Sequence, residues 1–299
     1  MTDAASDASE PAGAAPAQIQ DVAARMAARQ VLFIGGAMRS GTTVIHRALC
    51  TASNSNPYIS ESWFVYEMMM VYRRRIQRYD LWMADQLGPL RNFRDLIRLN
   101  IEQYFLLVSA RYGSPELLIL KHPALTSVFP EMGEMFPSMQ FLVVVRDPRD
   151  VIASIKSARE HHVRDRVASA LQPLDTTQKL CKYYLSYYDG MLGRADNRCR
   201  FVRYEDVMRD PRRAIATIGK FCGGRYDLEK VSTFTEEHAA APNLDSQQHD
   251  RLTRPFWSEL WRKGLSEERI GRYRETLTEE EVSEIETLLG TLGRRFKYW

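Results

Sequence analysis

The stretch that most limits how this chain can fold is Val31-Leu32-Phe33-Ile34 running into Gly35-Gly36-Ala37-Met38-Arg39-Ser40-Gly41-Thr42-Thr43. Four apolar residues without alternation read as a strand buried on both faces, as in a parallel sheet covered by helices. The two glycines end it, and Thr42 to Ala52 then has helical spacing. The junction spells G-x-x-x-x-G-x-T. Backbone N–H groups in such a loop, together with the helix N-terminus, can cradle a phosphate.

The alternation continues downstream. Tyr58–Ser60, Leu117–Leu120, Phe141–Val145 and Phe201–Tyr204 are strand candidates, the five-residue run at Phe141 being the strongest. Helical spacing covers Trp63–Arg78, Phe93–Tyr112, Pro148–Arg159, Thr177–Leu192, Pro211–Cys222 and Thr278–Leu292. Asp147 is placed to cap the helix that Pro148 opens, and Thr278-x-x-Glu281 is a capping box. Strands alternating with helices predict an α/β fold of three layers, a central parallel sheet flanked by helices. Residues 1–20, rich in Ala, Ser, Pro and Asp, predict a flexible N-terminal tail; 21–299 form a single domain, with 243–254 as a loop and a helix starting near Asp21.

Composition bounds the function. With 44% apolar and 26% charged residues in 299, the chain is neither disordered nor fibrous. A net charge of +3 gives no global attraction to nucleic acid or membrane. Four cysteines without a C-x-x-C pair predict neither a zinc site nor a disulfide framework, and suit a reducing compartment. No apolar run approaches the ~20 residues of a membrane span. The first twenty residues hold no hydrophobic block, so cytoplasmic localisation of a bacterial kind is expected. Nothing specifies an oligomeric state.

In the nucleoside-triphosphatase loop G-x-x-x-x-G-K-[ST] the Lys reaches the β- and γ-phosphates. Here Thr42 occupies that position and the cation is Arg39, inside the loop. Arg39-Ser40-Gly41-Thr42-Thr43 resembles the 5′-phosphosulfate loop of sulfotransferases that use 3′-phosphoadenosine-5′-phosphosulfate (PAPS), in the branch with Arg in the loop found in tyrosylprotein and many bacterial members. About a hundred residues downstream, Phe141-Leu-Val-Val-Val-Arg146-Asp147-Pro148-Arg149-Asp150-Val-Ile-Ala-Ser154 resembles that family's 3′-phosphate strand and helix. Ser154 follows Asp147 by seven residues, two helical turns, so it returns to the same face. Leu120-Lys121-His122-Pro123, Val202-Arg203-Tyr204-Glu205-Asp206 and Gly271–Thr278 resemble three further family segments.

The resemblance implies a P-loop-type fold, PAPS as co-substrate, adenosine 3′,5′-bisphosphate (PAP) as product, and no metal. It implies that Ser40, Gly41, Thr42 and Thr43 bind the 5′-phosphate, that Arg39 and Lys121 hold charge on the transferring group, and that Arg146 and Ser154 hold the 3′-phosphate. Tyr204 belongs to the nucleotide site on the same grounds. Two candidates close over the 3′-phosphate: Arg262-Lys263, which matches the family's R-K-G but is separated from Gly271 by seven residues, and Arg269. Two candidates serve as the base. Glu61 follows Arg39 by twenty-two residues and returns to the carboxyl edge of the sheet. His122 adjoins Lys121, and both can face the site only where the strand has ended.

Trp63, Phe64, Tyr66, Met68, Met69 and Met70 are either core or the lining of an apolar acceptor pocket. Arg73-Arg74-Arg75 is a solvated face or a guide for an anionic acceptor. The acceptor class, a small molecule, glycan or lipid, stays open. The other readings are a P-loop nucleotide kinase or triphosphatase, which needs a Lys after Gly41, and a non-catalytic nucleotide-binding protein.

Overall fold

The structure is a computed structural model that describes residues 29–166, 168–192, 197–232 and 264–299. The expected tail at 1–20, the start of the helix expected from Asp21, the loop expected at 243–254, and Arg262 and Lys263 lie outside the described residues.

Among the described residues, four parallel strands, β1 (Gln30–Gly36), β2 (Leu117–Lys121), β3 (Gln140–Val145) and β4 (Cys199–Arg203), pair in the order β2-β1-β3-β4. In β1, Ile34 aligns with Lys121 on one side and with Leu142 on the other. The chain leaves β1 for β2 on one flank and later returns to β3 on the other, which makes the end of β1 a topological switch point where α/β sheets open a crevice.

The helices used below are α1 (Thr42–Leu49), α2 (Trp63–Ile76), α3 (Leu90–Arg111), α4 (Pro148–Arg164), α5 (Thr177–Ser186), α6 (Tyr204–Arg209), α7 (Pro211–Cys222) and α8 (Glu279–Leu288). Successive strand side chains point to opposite faces. Phe33, Leu118, Leu120, Phe141, Val143 and Val145 therefore join a core closed by α2, α3, α4, α5 and α8. Leu32, Ile34, Ile119, Leu142 and Val144 join a second core closed by α1, α6 and α7. The expected three layers are present.

Local signals account for the element boundaries. Asp147 accepts from Arg149 N at 2.9 Å with Pro148 at the first helical position, and Thr278 and Glu281 form the capping box. Three expectations are corrected. Tyr58–Ser60 is not a strand. Pro57 has no N–H to give a ladder, and the Asn56 side chain takes the ladder's place at the sheet edge. Its Oδ1 accepts from Ile119 N (2.7 Å) and its Nδ2 donates to Ile119 O (3.1 Å). The helix expected over Thr177–Leu192 ends at Ser186, where tighter bonds such as Tyr188 N to Leu185 O take over. The last expected helix breaks at Leu289, before Gly290 starts a second short one, glycine being a poor helix residue.

Candidate active site

The loop is fixed by its glycines and by contacts with neighbouring segments. A Cβ on Gly36 would lie 2.4 Å from Val144 O of the neighbouring strand. Gly36 N donates to Thr126 Oγ1 (2.6 Å), Ala37 N to Tyr188 Oη (3.0 Å) and Ser40 N to Ala37 O (3.0 Å). Arg39 sits at φ 70, a left-handed conformation that a non-glycine residue adopts at a cost of about 1–3 kcal/mol. Gly41 caps α1 at φ 89, and a Cβ there would meet the Tyr204 ring at 2.4 Å. The first helical bond of α1 is Ile45 N to Gly41 O, so the N–H groups of Thr42, Thr43 and Val44 precede its ladder and lack intrahelical acceptors.

The second motif meets this loop. Arg146, where β3 ends, donates to Arg39 O at 3.3 Å, and Arg39 Nε donates to Ser154 Oγ on α4 at 3.1 Å. The Arg146 guanidinium also lies 4.6 Å over the Tyr204 ring, donates to Arg269 O and pairs with Asp150 at 3.6 Å. Burial, with repulsion from Arg146 and Arg269, holds the Arg39 pKa down to about 10. It remains a cation at neutral pH. Arg39, Ser40, Gly41, Arg146, Ser154, Tyr204 and Arg269 thus form one cluster, and its gathered guanidinium groups suit an anion.

Glu61, Lys121 and His122 meet beside the loop. Lys121, the last residue of β2, is buried, and its ammonium donates to Thr43 Oγ1 (3.0 Å) and to Glu61 Oε1 (2.8 Å). Lys121 O accepts from Ser62 N at 2.9 Å, which brings the segment before α2 to the strand end. Burial raises the Glu61 pKa, but the Lys121 ion pair and hydrogen bond outweigh it and leave the carboxyl below its usual value. The strand has ended at His122, which extends beyond it. The imidazole is buried, stacked on Tyr66 (4.7 Å, 10° between planes) and edge-on to Trp63 (4.6 Å). Neither ring nitrogen has a hydrogen-bond partner among the described residues. Burial holds its pKa down to about 4, so the ring is neutral above pH 5.

On the acceptor side, Trp63 and Phe64 are exposed at the start of α2, Tyr66, Met68 and Met70 are half-buried, and Met69 is core. Arg73, Arg74 and Arg75 are exposed.

Arg149, Glu205 and Asp150 stand inside the motifs, but their partners carried no signal in the sequence. Arg149 pairs with Asp147 (2.7 Å) and Glu286 (2.6 Å). Glu205 accepts from Asp147 N and from Tyr298 Oη, each at 2.9 Å. Asp150 accepts from Gly271 N (2.8 Å) and Tyr273 N (2.9 Å). The Arg149–Asp147 ion pair within R-D-P-R-D is largely buried, and Arg149 fastens the C-terminal segment to α4 through Glu286.

Among the described residues, no group of three or more His, Cys, Asp or Glu side chains is arranged to hold a metal ion. No helix among them is long and apolar enough to cross a membrane.

The chain is 26% identical over 197 residues to a protein-tyrosine sulfotransferase of Drosophila melanogaster, a match that covers 64% of this chain and 37% of the relative. In fold it is similar to the sulfotransferase domain of the curacin biosynthetic pathway (TM-score 0.53, 16% identity, 88% of this chain and 98% of that one). It is also similar to the sulfotransferase domain of the Synechococcus PCC 7002 olefin synthase (TM-score 0.51, 17% identity, 87% and 94%). The profile of the sulfotransferase family matches residues 31–227, which contain the loop, the Glu61–Lys121 pair and the Arg146 helix, and the chain belongs to that family.

Proposed function

We propose that this enzyme moves the sulfuryl group of PAPS to a hydroxyl or amine of an acceptor, with Glu61 as general base and PAP as product. The observation that carries the reading is the Lys121 ammonium, which touches Thr43 of the phosphate loop and Glu61 at once. It joins the donor side of the site to a carboxylate. The residues fit a nucleotide with anionic groups at both ends. Arg146 and Arg269 both lie close enough to Arg39 to repel its charge, and the helix N-terminus at Thr42 and Thr43 lies a short step away along the loop.

The donor, when bound, supplies the SO₃ group and a phosphate leaving group. Thr42, Thr43 and their N–H groups bind that phosphate, and Arg39 neutralises the charge that grows on it. Arg39 does so as a permanent cation, because a guanidinium is not a proton donor at working pH. Lys121 adds positive charge on the sulfuryl side and keeps Glu61 ionised. Glu61 takes the acceptor's proton at Oε1 or Oε2. Arg146, Ser154 and Arg269 hold the 3′-phosphate, and Tyr204 forms the wall between loop and Arg146. Trp63, Phe64 and Tyr66 line the approach of a small-molecule, glycan or lipid acceptor.

A second base is supported by one observation, the two unpartnered nitrogens of neutral His122. The reading is tested by calorimetry with PAP and ATP in metal-free buffer, followed by transfer of labelled sulfate from PAPS to a panel of hydroxylated acceptors. PAP binding and acceptor labelling are expected. Binding of ATP without PAP binding overturns the reading.

A further inference from the structure

We propose that Asp150 sets selectivity for a 3′-phosphorylated nucleotide by holding the peptide that presents Arg269 to the Arg39–Arg146 cluster. The inference rests on the donor reading above and deepens it. It assigns the 3′-phosphate contact to Arg269 and gives Asp150, which touches only protein, the role of positioning residue.

Asp150 lies on the first turn of α4, and its side chain has no solvent exposure. Its Oδ2 accepts from Gly271 N at 2.8 Å and its Oδ1 from Tyr273 N at 2.9 Å. Gly271 stands at φ 77. That left-handed turn aims two alternate amides at a single carboxylate, a conformation glycine adopts without strain. Arg146, four residues before Asp150 and ahead of α4, ion-pairs with Oδ2 at 3.6 Å and donates to the carbonyl of Arg269. Residues 269 to 273 are therefore fastened at three peptide groups by two side chains of the R-D-P-R-D motif. The fastening consumes no side chain of the segment, so it fixes where the backbone of Arg269 sits. Arg269 in turn is close enough to Arg39 to depress its proton affinity.

A carboxylate buried at this depth is costly unless its oxygens are satisfied. Here both oxygens accept from one distant segment and Oδ2 also faces Arg146, so the buried charge is satisfied while that segment is held against the site. Adenosine 5′-monophosphate (AMP) shares the adenine and 5′-phosphate of PAP but lacks the 3′-phosphate. A latch that acts through Arg269 therefore changes PAP affinity and leaves AMP affinity alone. A residue that merely stabilises the fold weakens both.

The test is calorimetry of PAP and AMP on the wild type, Asp150→Asn, Arg269→Ala and the double variant. The wild type is expected to prefer PAP. Each single variant should lose about tenfold or more of the PAP/AMP ratio, the scale of one charge-assisted hydrogen bond, with AMP affinity within about threefold. The double variant should lose no more than either single one, because the two residues act in series. Equal weakening of PAP and AMP by Asp150→Asn, or additive losses in the double variant, overturns the latch. If Asp150→Asn does not fold, an unchanged ratio in Arg269→Ala overturns it as well. A wild type that binds AMP as tightly as PAP overturns the donor reading itself and the latch with it.

Discussion

The Lys121 ammonium lies 2.8 Å from the Glu61 carboxylate, with 2% of the lysine side chain exposed against 32% of the glutamate's. The pair is asymmetric in access. The cation is sealed behind the strand end, while the carboxylate stays partly exposed. That arrangement suits a base, and it predicts that Glu61→Gln lowers kcat by about 10²–10⁴, the usual contribution of a general base. His122→Asn should keep turnover within about tenfold. Initial rates with saturating PAPS check both, and near-normal turnover in Glu61→Gln shifts the base to His122. A pH profile alone does not separate them. Glu61 is held below its usual value and His122 titrates near 4, so either group gives an acidic limb at low pH.

Arg39 is bound at both ends, its carbonyl by Arg146 and its Nε by Ser154 Oγ. Arg39→Ala should cost about 10²–10³ in kcat, the scale of one lost donor to developing charge. Arg39→Lys should recover only part of it, because an ammonium lacks the fork that engages two oxygens. PAP affinity measured alongside distinguishes a loss confined to the transition state from a loss of binding.

How far the site was legible follows from where its signals lie. The loop Gly36–Thr43 and the strand-to-helix turn at Arg146 are local. An unbroken apolar run ending in glycines specifies the first, and an unbroken apolar run followed by the Asp147 cap and Pro148 specifies the second, each within a dozen residues. Glu61 does reach the end of β2 beside Lys121, but not by way of a strand. The strand expected at Tyr58–Ser60 is replaced by the Asn56 side chain on Ile119, and a single amide has no periodic signature. Asp150 was in plain view within R-D-P-R-D, but its partners are backbone amides more than a hundred residues away. Backbone N–H groups are present at every residue except proline, so such bonds leave no mark on the sequence. The same holds for Tyr188 and Thr126, which take up the amides of Ala37 and Gly36.

Two buried histidines make stability sensitive to mild acid. His46, wholly buried with Nε2 at 3.2 Å from Ile119 O, is held near 3 by burial, with Lys121 adding to the effect; His122 is held near 4, again mainly by burial. Both titrate near 6.5 when unfolded. Between the unfolded and folded values the unfolded chain binds more protons, so stability falls as pH falls, by about 1.4 kcal/mol per pH unit for each histidine. The full contribution is present above pH 6.5. Thermal unfolding between pH 7 and 5 should show this slope, and His46→Phe should reduce it, since Asn56 still donates to Ile119 O. A melting temperature unchanged across that range contradicts the account.

Arg149 joins the site helix to the C-terminal segment. Its guanidinium pairs with Asp147 and Glu286 and lies over the rings of Tyr273 (4.5 Å) and Trp299 (4.9 Å). The Arg149 and Asp147 side chains are each 11% exposed. Asp147 and Glu286 reinforce the charge, and the Arg149 pKa stays above its ordinary value although burial opposes it. Arg149→Met preserves much of the stem's packing but leaves Asp147 buried without its cation, which costs about 3–5 kcal/mol when one partner of a buried pair is removed. Arg149→Met with Asp147→Asn removes that stranded charge and should recover part of the loss, because the two sites share one interaction. Urea unfolding of the single and double variants measures both. Recovery in the double variant identifies the buried carboxylate as the source of the cost, whereas additive losses place it in the contacts with Tyr273 and Trp299.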